Sequence, residues 1–249
     1  MTRPRLQAEA LCHLIEQHGG EALRFPTLAI EAIEPSPAAI DTALASDWMI
    51  FTSTNAVDFA LQAFDGKMAG RRMPALAAVG GSTAHALRKA GWIVDCVPVN
   101  DFSSEGLLAE IRLQAVDGQS CIIVRGQGGR EKIAETLRAR GALVGYLEVY
   151  RRYRPDSDNR NLVDGLTRRE IAVATVTSEE ALSNLLAMLD DDSVALLRKV
   201  PLVVVSERIR QAAETLGFET IAVSRQPTDI AILETLTMLL SGENSGRSN

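Results

Sequence analysis

Residues 50–57 of the chain read IFTSTNAV and residues 175–182 read TVTSEEAL, so an apolar run, two hydroxyl residues and the start of a helical pattern occur twice. A second pair of segments, 79–97 and 205–223, matches at nearly the same spacing, and a glycine closes the helical pattern in both. Glycine is favoured just past a helix end because it adopts the left-handed backbone conformation at little cost. The pattern therefore indicates one unit duplicated, with about 125 residues in each copy.

Short apolar runs rich in β-branched residues alternate with helical patterns. The expected strands are 48–52, 75–79, 120–124, 171–176 and 201–205, and the expected helices include 6–18, 56–64, 83–90, 130–140, 180–189 and 209–216. Most runs show little alternation, which is typical of strands buried on both faces of a parallel sheet. We therefore expect an α/β fold. Two longer extended segments, 23–33 and 143–154, occupy equivalent places in the repeat, and we interpret them either as paired connectors between two domains or as an edge strand in each sheet.

Composition excludes several classes of protein. No run approaches the roughly 18 apolar residues of a membrane-spanning helix, and the first residues lack the apolar core of a signal peptide. The net charge of −6 and the 11 aromatic residues (Phe 6, Tyr 3, Trp 2) disfavour a nucleic-acid binder. Cys12, Cys96 and Cys121 form no C-x-x-C pair. We expect them to be reduced core residues of a cytoplasmic protein without a metal site.

The turn RGQGGR at 125–130 follows a predicted strand and is the first candidate for binding chemistry. Ligands of parallel α/β sheets bind beyond the carboxyl ends of the strands, where helix N-termini present free N–H groups. Glycines bring backbone N–H groups close to an anion, and arginines add paired contacts. The turn matches neither the dinucleotide-binding fingerprint nor the Walker A loop. Its glycines and arginines therefore predict an anion-binding site of another kind. The alternative is a plain flexible turn with two solvated arginines.

Hydroxyl-rich turns follow four other predicted strands, at 52–55, 177–180, 80–83 and 206–209. Helix capping explains such residues as well as ligand binding does. The acidic run 190–192 is interpreted as a solvated turn rather than a metal site. From the residues alone, we expect a two-lobed α/β protein with a cleft suited to an anion.

An ordered series of short motifs resembles the uroporphyrinogen-III synthase family. It consists of TRP at 2–4, FTS at 51–53 with NAV at 55–57, AVG at 78–80 with TA at 83–84, RG at 125–126 with GGR at 128–130, EVYR at 148–151, TS at 177–178, and SER at 206–208 ahead of LG at 216–217. The resemblance runs from Thr2 to about Leu240. It implies two similar parallel-sheet α/β domains joined by a two-stranded β-ladder, with the active site in the inter-domain cleft.

On this sequence the resemblance places one domain at 1–33 and 156–249 and the other at 36–145, with connectors at 23–33 and 143–154. We expect 241–249 to be a disordered tail. The family has a short apolar strand ahead of Thr-Arg-Pro, whereas here only Met1 precedes Thr2. The first sheet is therefore expected to lack its opening strand, unless the true start lies upstream.

The family converts the linear tetrapyrrole hydroxymethylbilane into uroporphyrinogen III, with loss of water and inversion of the fourth pyrrole ring. It is a lyase of haem biosynthesis that uses no metal or organic cofactor. Loss of the hydroxyl gives an azafulvene, which closes through a spiro intermediate. The resemblance implies a small-molecule substrate with eight carboxylates, no nucleic-acid or membrane partner, and a cytoplasmic location. We expect a monomer.

Site residues are carried over by position. Tyr150 is the expected proton donor to the leaving hydroxyl, although a tyrosine in an extended connector often only packs its ring. The expected substrate-binding residues are Ser53, Asn55, Thr83, Arg125, Gly126, Gly129, Arg130, Ser178, Ser206 and Arg208. Arg208 stands where many relatives have a hydroxyl residue, so we expect it to replace that contact.

Two other functions remain open on the sequence. One is a non-catalytic ligand-binding or regulatory protein of the same fold, because folds are widely reused. The other is an α/β enzyme that uses a nucleotide or a phosphosugar, an interpretation that rests on the glycine-rich turn alone.

Overall fold

A computed structural model describes residues 1–65, 67, 72–129 and 131–241. In chain order the elements are α1 Arg5–Gln17, β1 Ala29–Ala32, α2 Pro37–Leu44, β2 Trp48–Phe51, α3 Thr54–Ala63, β3 Ala75–Ala78, α4 Gly81–Lys89, α5 Ser104–Ala109, a 3-10 helix Ile111–Leu113, β4 Ser120–Gly126, α6 Lys132–Ala139, β5 Leu143–Tyr153, α7 Arg160–Thr167, β6 Ala174–Val176, α8 Glu179–Ala187, α9 Asp191–Leu197, β7 Leu202–Val204, α10 Glu207–Thr215, β8 Ile221–Val223 and α11 Asp229–Ser241. The described chain forms two compact units. Unit 1 is Met1–Ala29 with the residues from Tyr153 onward, and unit 2 is Ile30–Arg152.

Unit 2 is built on a sheet with the strand order β1-β5-β4-β2-β3 among the described residues. β2 runs parallel to both β3 and β4, and β4 runs parallel to β5. Apolar side chains of α2, α3 and α4 pack on one face of this sheet, and those of α5, the 3-10 helix and α6 pack on the other. Every residue of β2 is therefore buried, which explains its unbroken apolar sequence.

Unit 1 has a smaller parallel sheet with the order β6-β7-β8 in the described part of the chain. One cluster packs α7, α8, α9 and α10 against it, and a second packs α1 and α11 against Val203. The predicted α/β class with parallel sheets is confirmed in both units.

The glycines of the repeat end helices as predicted. Gly91 follows α4 with φ +83°, and Gly217 follows α10 with φ +87°. The strand after each helix differs between the copies. In the second copy β8 pairs with β7 over three residues, whereas in the first the equivalent segment makes only an isolated bridge between Ala77 and Cys96.

Several predicted boundaries were wrong. Of the strand expected at 171–176, only Ala174–Val176 pairs as a strand. In the extended segment 23–33, Ala29–Ala32 forms β1, and residues 23–27 pair with Met1 and Thr2 through backbone hydrogen bonds. The acidic run is the start of α9 rather than a solvated turn, since Asp190 accepts a hydrogen bond from the Ser193 N–H at 2.8 Å. Ser241, expected in the disordered tail, ends α11, and 242–249 lie outside the described residues.

The first residues pair with an extended segment of unit 1. The Met1 amino group donates to the Leu23 carbonyl at 2.9 Å, and the Phe25 N–H donates to the Met1 carbonyl at 2.9 Å, as in a parallel pair around Arg24. A cavity of about 330 Å³, lined mainly by apolar groups, lies beside Met1 and is bordered by 20–25 and 170–175. Burial of the amino group lowers its pKa to about 6 from 8.0.

Candidate functional site

Tyr150 lies on β5 with its side chain buried in unit 2. Only 7% of the residue is exposed, and its ring stacks on Phe59 of α3 with centroids 5.6 Å apart. The Tyr150 hydroxyl lies 3.2 Å from the Ser53 Oγ, within hydrogen-bonding distance. The tyrosine packs its ring on Phe59, as the packing alternative expects, and its hydroxyl also contacts Ser53, so a catalytic role for Tyr150 stays a prediction.

A β-bulge places Tyr150 in this position. Arg125 pairs with Glu148, but the next residue of β4, Gly126, pairs with Tyr150, so Val149 is an extra residue on β5. Such a bulge changes the direction of the side chains that follow it. Gly126 is needed for packing at this point, since a Cβ there would lie 2.5 Å from the Cε2 and Cζ atoms of Tyr150.

Ser53 has two contacts. Its Oγ accepts a hydrogen bond from the Ala56 N–H at 3.1 Å and so caps α3, and it also contacts the Tyr150 hydroxyl. Asn55 lies half-buried in the first turn of the same helix. Capping is therefore only part of the role of Ser53.

The start of α4 differs from that of α3. Gly80 is the N-cap residue and, among the described residues, no side chain caps this helix. N–H groups of the first turn are therefore available as donors. Gly81 and Ser82 are exposed, whereas Thr83, predicted to bind substrate, is 5% exposed and faces the core.

Arg125 is engaged inside unit 2. One terminal nitrogen donates to Glu131 at 2.8 Å and to the Gly129 carbonyl at 3.2 Å, and the other donates to Glu148 at 3.3 Å. Its guanidinium also lies 3.9 Å from the ring centre of Tyr146. With 7% exposure this arginine is not solvated, so the alternative of a turn with two solvated arginines is wrong for Arg125.

Glu131 links Arg125 to Tyr146 by contacting both side chains. Its carboxylate accepts hydrogen bonds from the Tyr146 hydroxyl and from Arg125, and these bonds lower its pKa. Burial, followed by the bond to Glu131, raises the pKa of Tyr146. Arg130, the other predicted arginine of the turn, lies outside the described residues.

Unit 1 carries the equivalent turns. Ser178 accepts from the Ala181 N–H at 3.0 Å and caps α8, and Ser206 accepts from the Ile209 N–H at 3.4 Å and caps α10. Arg208 forms an ion pair with Glu179 at 2.8 Å, and its side chain is 69% exposed. Each predicted residue of unit 1 therefore has a partner of its own.

Metal binding, cysteine chemistry and membrane spanning would depend on other residues in the described part of the chain. Its His, Cys, Asp and Glu residues form no group of three or more that could hold a metal ion. Cys12, Cys96 and Cys121 are free and buried, as predicted, and burial raises the pKa of the latter two thiols to about 11. No helix within the described ranges combines the length and apolar character needed to cross a bilayer.

The structure brings together some predicted residues and adds others. Ser53, Gly126 and Tyr150 are in contact, and Arg125 contacts Gly129. Sequence reasoning missed Phe59, Glu131, Tyr146 and Glu148. Glu148 stood within the EVYR motif, but nothing local to that motif indicated its pairing with Arg125.

Fold and site together define an α/β protein in which the parallel strands of each unit end at turns rich in hydroxyl and backbone donors, and in which the buried Tyr150 lies beside such a turn of unit 2. Residues 9–234 match the family model described as "Uroporphyrinogen-III synthase HemD". The chain belongs to the uroporphyrinogen-III synthase family.

Individual relatives agree with this assignment. The chain is 33% identical to the uroporphyrinogen-III synthase of Escherichia coli K12, over 95% of this chain and 98% of that protein. It is 32% identical to the enzyme of the same name from Salmonella typhimurium over the same shares. A mutant uroporphyrinogen III synthase from the bacterium Thermus thermophilus has a similar fold, with a TM-score of 0.63 at 21% identity over 95% of this chain and 96% of that one. The Helicobacter pylori uroporphyrinogen-III synthetase gives 0.59 at 14% identity over 88% and 93%.

Proposed function

We propose that this chain converts hydroxymethylbilane to uroporphyrinogen III, with loss of water and inversion of the fourth pyrrole ring. Membership of the family supports this activity. The structural observation that carries it is the buried Tyr150 hydroxyl beside Ser53, at the carboxyl end of the unit 2 sheet. Ligands of parallel α/β sheets bind at this end.

Tyr150 is proposed to donate a proton, or a hydrogen bond, to the hydroxyl that leaves the substrate. A neutral phenol can both donate and accept, so Ser53 can hold the Tyr150 hydroxyl while its proton points to substrate. Phe59 and Gly126 fix the ring, which lowers the entropy cost of presenting the donor. Departure of water then gives the electrophilic azafulvene that the terminal pyrrole attacks.

The carboxylates of the substrate are proposed to bind to donors at the strand ends. In unit 2 these are the first turn of α4, Asn55 and the turn from Gly126 to Gly129. In unit 1 they are the turns that begin at Ser178 and Ser206. Helix N-termini favour anions, so a chain of net charge −6 can still bind a polyanion through local donors.

Arg208 and Arg125 are proposed to contribute differently. Arg208 is exposed and can exchange its partner Glu179 for a substrate carboxylate at little cost. Arg125 is buried with two carboxylates, so we propose that it acts mainly on the turn that follows it. We propose a monomer in the cytoplasm, which agrees with three buried, free cysteines.

Product analysis tests the proposed activity. The protein is incubated with hydroxymethylbilane, and the uroporphyrinogen isomers are separated after oxidation. Formation of isomer III faster than the spontaneous closure to isomer I supports the proposal. Isomer I alone, together with tight binding of the tetrapyrrole, would instead identify the non-catalytic binding protein of the same fold, which the comparisons do not support.

A further inference from the structure

We propose that Glu148 and Arg125 are positioning residues, which act by fixing the β-bulge that turns Tyr150 toward Ser53. This inference rests on the proposed function for its effect on catalysis, although its structural part can be tested separately. Neither residue needs to touch the substrate. Their role is to set the direction in which the phenol points.

Alternation of side chains along β5 shows what the bulge does. Tyr146 packs on the α6 face of the sheet, whereas Leu147 and Val149 pack on the opposite face, with α3 and α4. Regular alternation would return residue 150 to the α6 face, because successive side chains of a strand point to opposite faces. Tyr150 instead belongs to the same cluster as Val149. The extra residue in the ladder therefore moves the phenol to the face that carries Ser53 and Phe59.

The side chain of Arg125 holds the ladder immediately before the bulge. Arg125 and Glu148 are the last paired residues in regular register, and their side chains form an ion pair at 3.3 Å. The same guanidinium lies over the ring of Tyr146, two residues earlier on β5. Arg125 thus contacts two successive side chains on one face of β5 and joins β4 to β5 at this point.

The other side of the bulge is held by the backbone. The Gln127 N–H donates to the Tyr150 carbonyl at 2.8 Å, and the Arg125 guanidinium donates to the Gly129 carbonyl in the same turn. Arg125 therefore connects the paired residues before the bulge to the turn after it. Because the ion pair is largely buried on the arginine side, it is screened less than a surface pair.

Replacing Glu148 by glutamine is the mildest way to loosen this contact. Arg125 keeps Glu131 and the Gly129 carbonyl, so its buried charge stays compensated and the unit should fold. Glu31→Gln is the matched control, since Glu31 forms an ion pair with Arg151, the residue next to Tyr150, and both partners are exposed. Loss of that exposed pair should change activity by less than about twofold.

Steady-state kinetics give the first readout. We expect Glu148→Gln to lower kcat by roughly 10- to 100-fold, as for a displaced catalytic group, while KM changes little. A merely structural effect would lower the melting temperature and leave the kcat of the folded fraction unchanged. The inference is overturned if the folded E148Q variant keeps the kcat of the wild type, or if its loss lies in KM alone.

Tyrosine NMR gives a readout that does not depend on activity. The chain has three tyrosines, so ζ-13C-labelled tyrosine signals can be assigned with single Phe variants. Glu148→Gln should move the Tyr150 signal, and Glu31→Gln should not. An unmoved Tyr150 signal in E148Q would overturn the inference. Should Tyr150→Phe keep full activity, the proposed role of Tyr150 fails, yet the same signals still decide whether Glu148 positions the ring.

Discussion

At the scale of single residues, the packing of the Tyr150 ring requires a glycine at position 126. The ring of Tyr150 occupies the space that a Cβ at position 126 would need, and the register of the bulge places the two residues opposite each other. The glycine was expected from sequence as a substrate-binding residue, and that role stays a prediction. Its packing role follows from the structure alone.

Gly126→Ala should therefore be destabilising. The added methyl group would overlap the Tyr150 ring, and overpacking of this kind costs about 1–3 kcal/mol. Urea unfolding measures the free energy of unfolding. The control is Gly81→Ala in the first turn of α4, where a Cβ would meet the Phe102 ring at an ordinary 3.6 Å and alanine is favoured over glycine, so it should not lower stability. Equal stability of the two variants would contradict the proposed packing.

The side-chain contacts of individual site residues could not be predicted from the sequence. Tyr150 was found by resemblance, but its contacts to Ser53 and Phe59 join segments that are distant along the chain. Arg125 was expected to be available for an anion, whereas the structure gives it two carboxylates. Such pairings depend on strand register, and one extra residue in a strand changes which face a side chain occupies.

At the scale of secondary-structure elements, three serines that cap helices are also predicted to bind substrate. Ser53, Ser178 and Ser206 all cap the helix that follows them, so a role in binding has to be separated from a role in folding. A substitution that keeps the cap while changing the charge can separate the two.

Ser178→Asp is such a substitution. Aspartate is also a good N-cap residue, so the melting temperature should stay at or above that of the wild type, whereas Ser178→Ala should cost about 1 kcal/mol. A carboxylate close to a carboxylated substrate should raise KM by roughly tenfold or more. Ser36→Asp, at the cap of α2 and outside the predicted site, is the control. An unchanged KM in S178D would leave Ser178 with the capping role only.

The cavity beside Met1 gives a second prediction for elements. An extension of four apolar residues ahead of Met1 would continue its parallel pairing into the cavity, and each aliphatic side chain buried there should stabilise unit 1 by about 1.5–3 kcal/mol. A Gly-Ser extension of equal length is the control, because it removes the buried charge but fills no space. Equal melting temperatures for the two extensions would contradict this account.

The Met1 amino group should make the free energy of unfolding depend on pH, and either extension should abolish this dependence. Its pKa is about 6 when folded and 8.0 otherwise, so the folded state disfavours the charged form. Stability should be highest above pH 8.0, fall as the pH is lowered toward 6, and change no further from this group below that.

Local sequence patterns predicted most elements because they depend on neighbouring residues. The glycines after α4 and α10 and the unbroken apolar run of β2 are of this kind. Segment 171–173 was predicted as a strand from its apolar residues, yet pairing begins only at Ala174, since a strand also needs a partner. The start of α9 was interpreted as a turn because the aspartates at 190–192 directly follow the preceding helix, although acidic residues are favourable at a helix N-terminus as well.

The whole molecule consists of two units, one formed by a continuous stretch of the chain and the other by two separate segments. Unit 2 is one uninterrupted segment, Ile30–Arg152, and has a sheet with an apolar cluster on each face. Unit 1 is assembled from two segments. The predicted domains at 1–33 with 156–249 and at 36–145 remain proposals.

A fragment comprising residues 30–152 should therefore fold by itself, because a domain with its own hydrophobic core can do so. We expect a cooperative thermal transition by circular dichroism and dispersed amide signals by NMR. The fragment 1–29, which lacks most of unit 1, should stay unfolded. A fragment 30–152 without a cooperative transition would show that unit 2 needs the rest of the chain.

The central claim is that the buried Tyr150 hydroxyl takes part in closing the tetrapyrrole. Its most direct test is the rate of uroporphyrinogen III formation by Tyr150→Phe at saturating hydroxymethylbilane, with Tyr153→Phe as the control at a tyrosine that is 42% exposed. The account predicts a fall in kcat of about 100-fold, at the lower end for general acid catalysis, with little change in KM and a normal rate for the control. A Tyr150→Phe variant that forms isomer III at the rate of the wild type would contradict the claim.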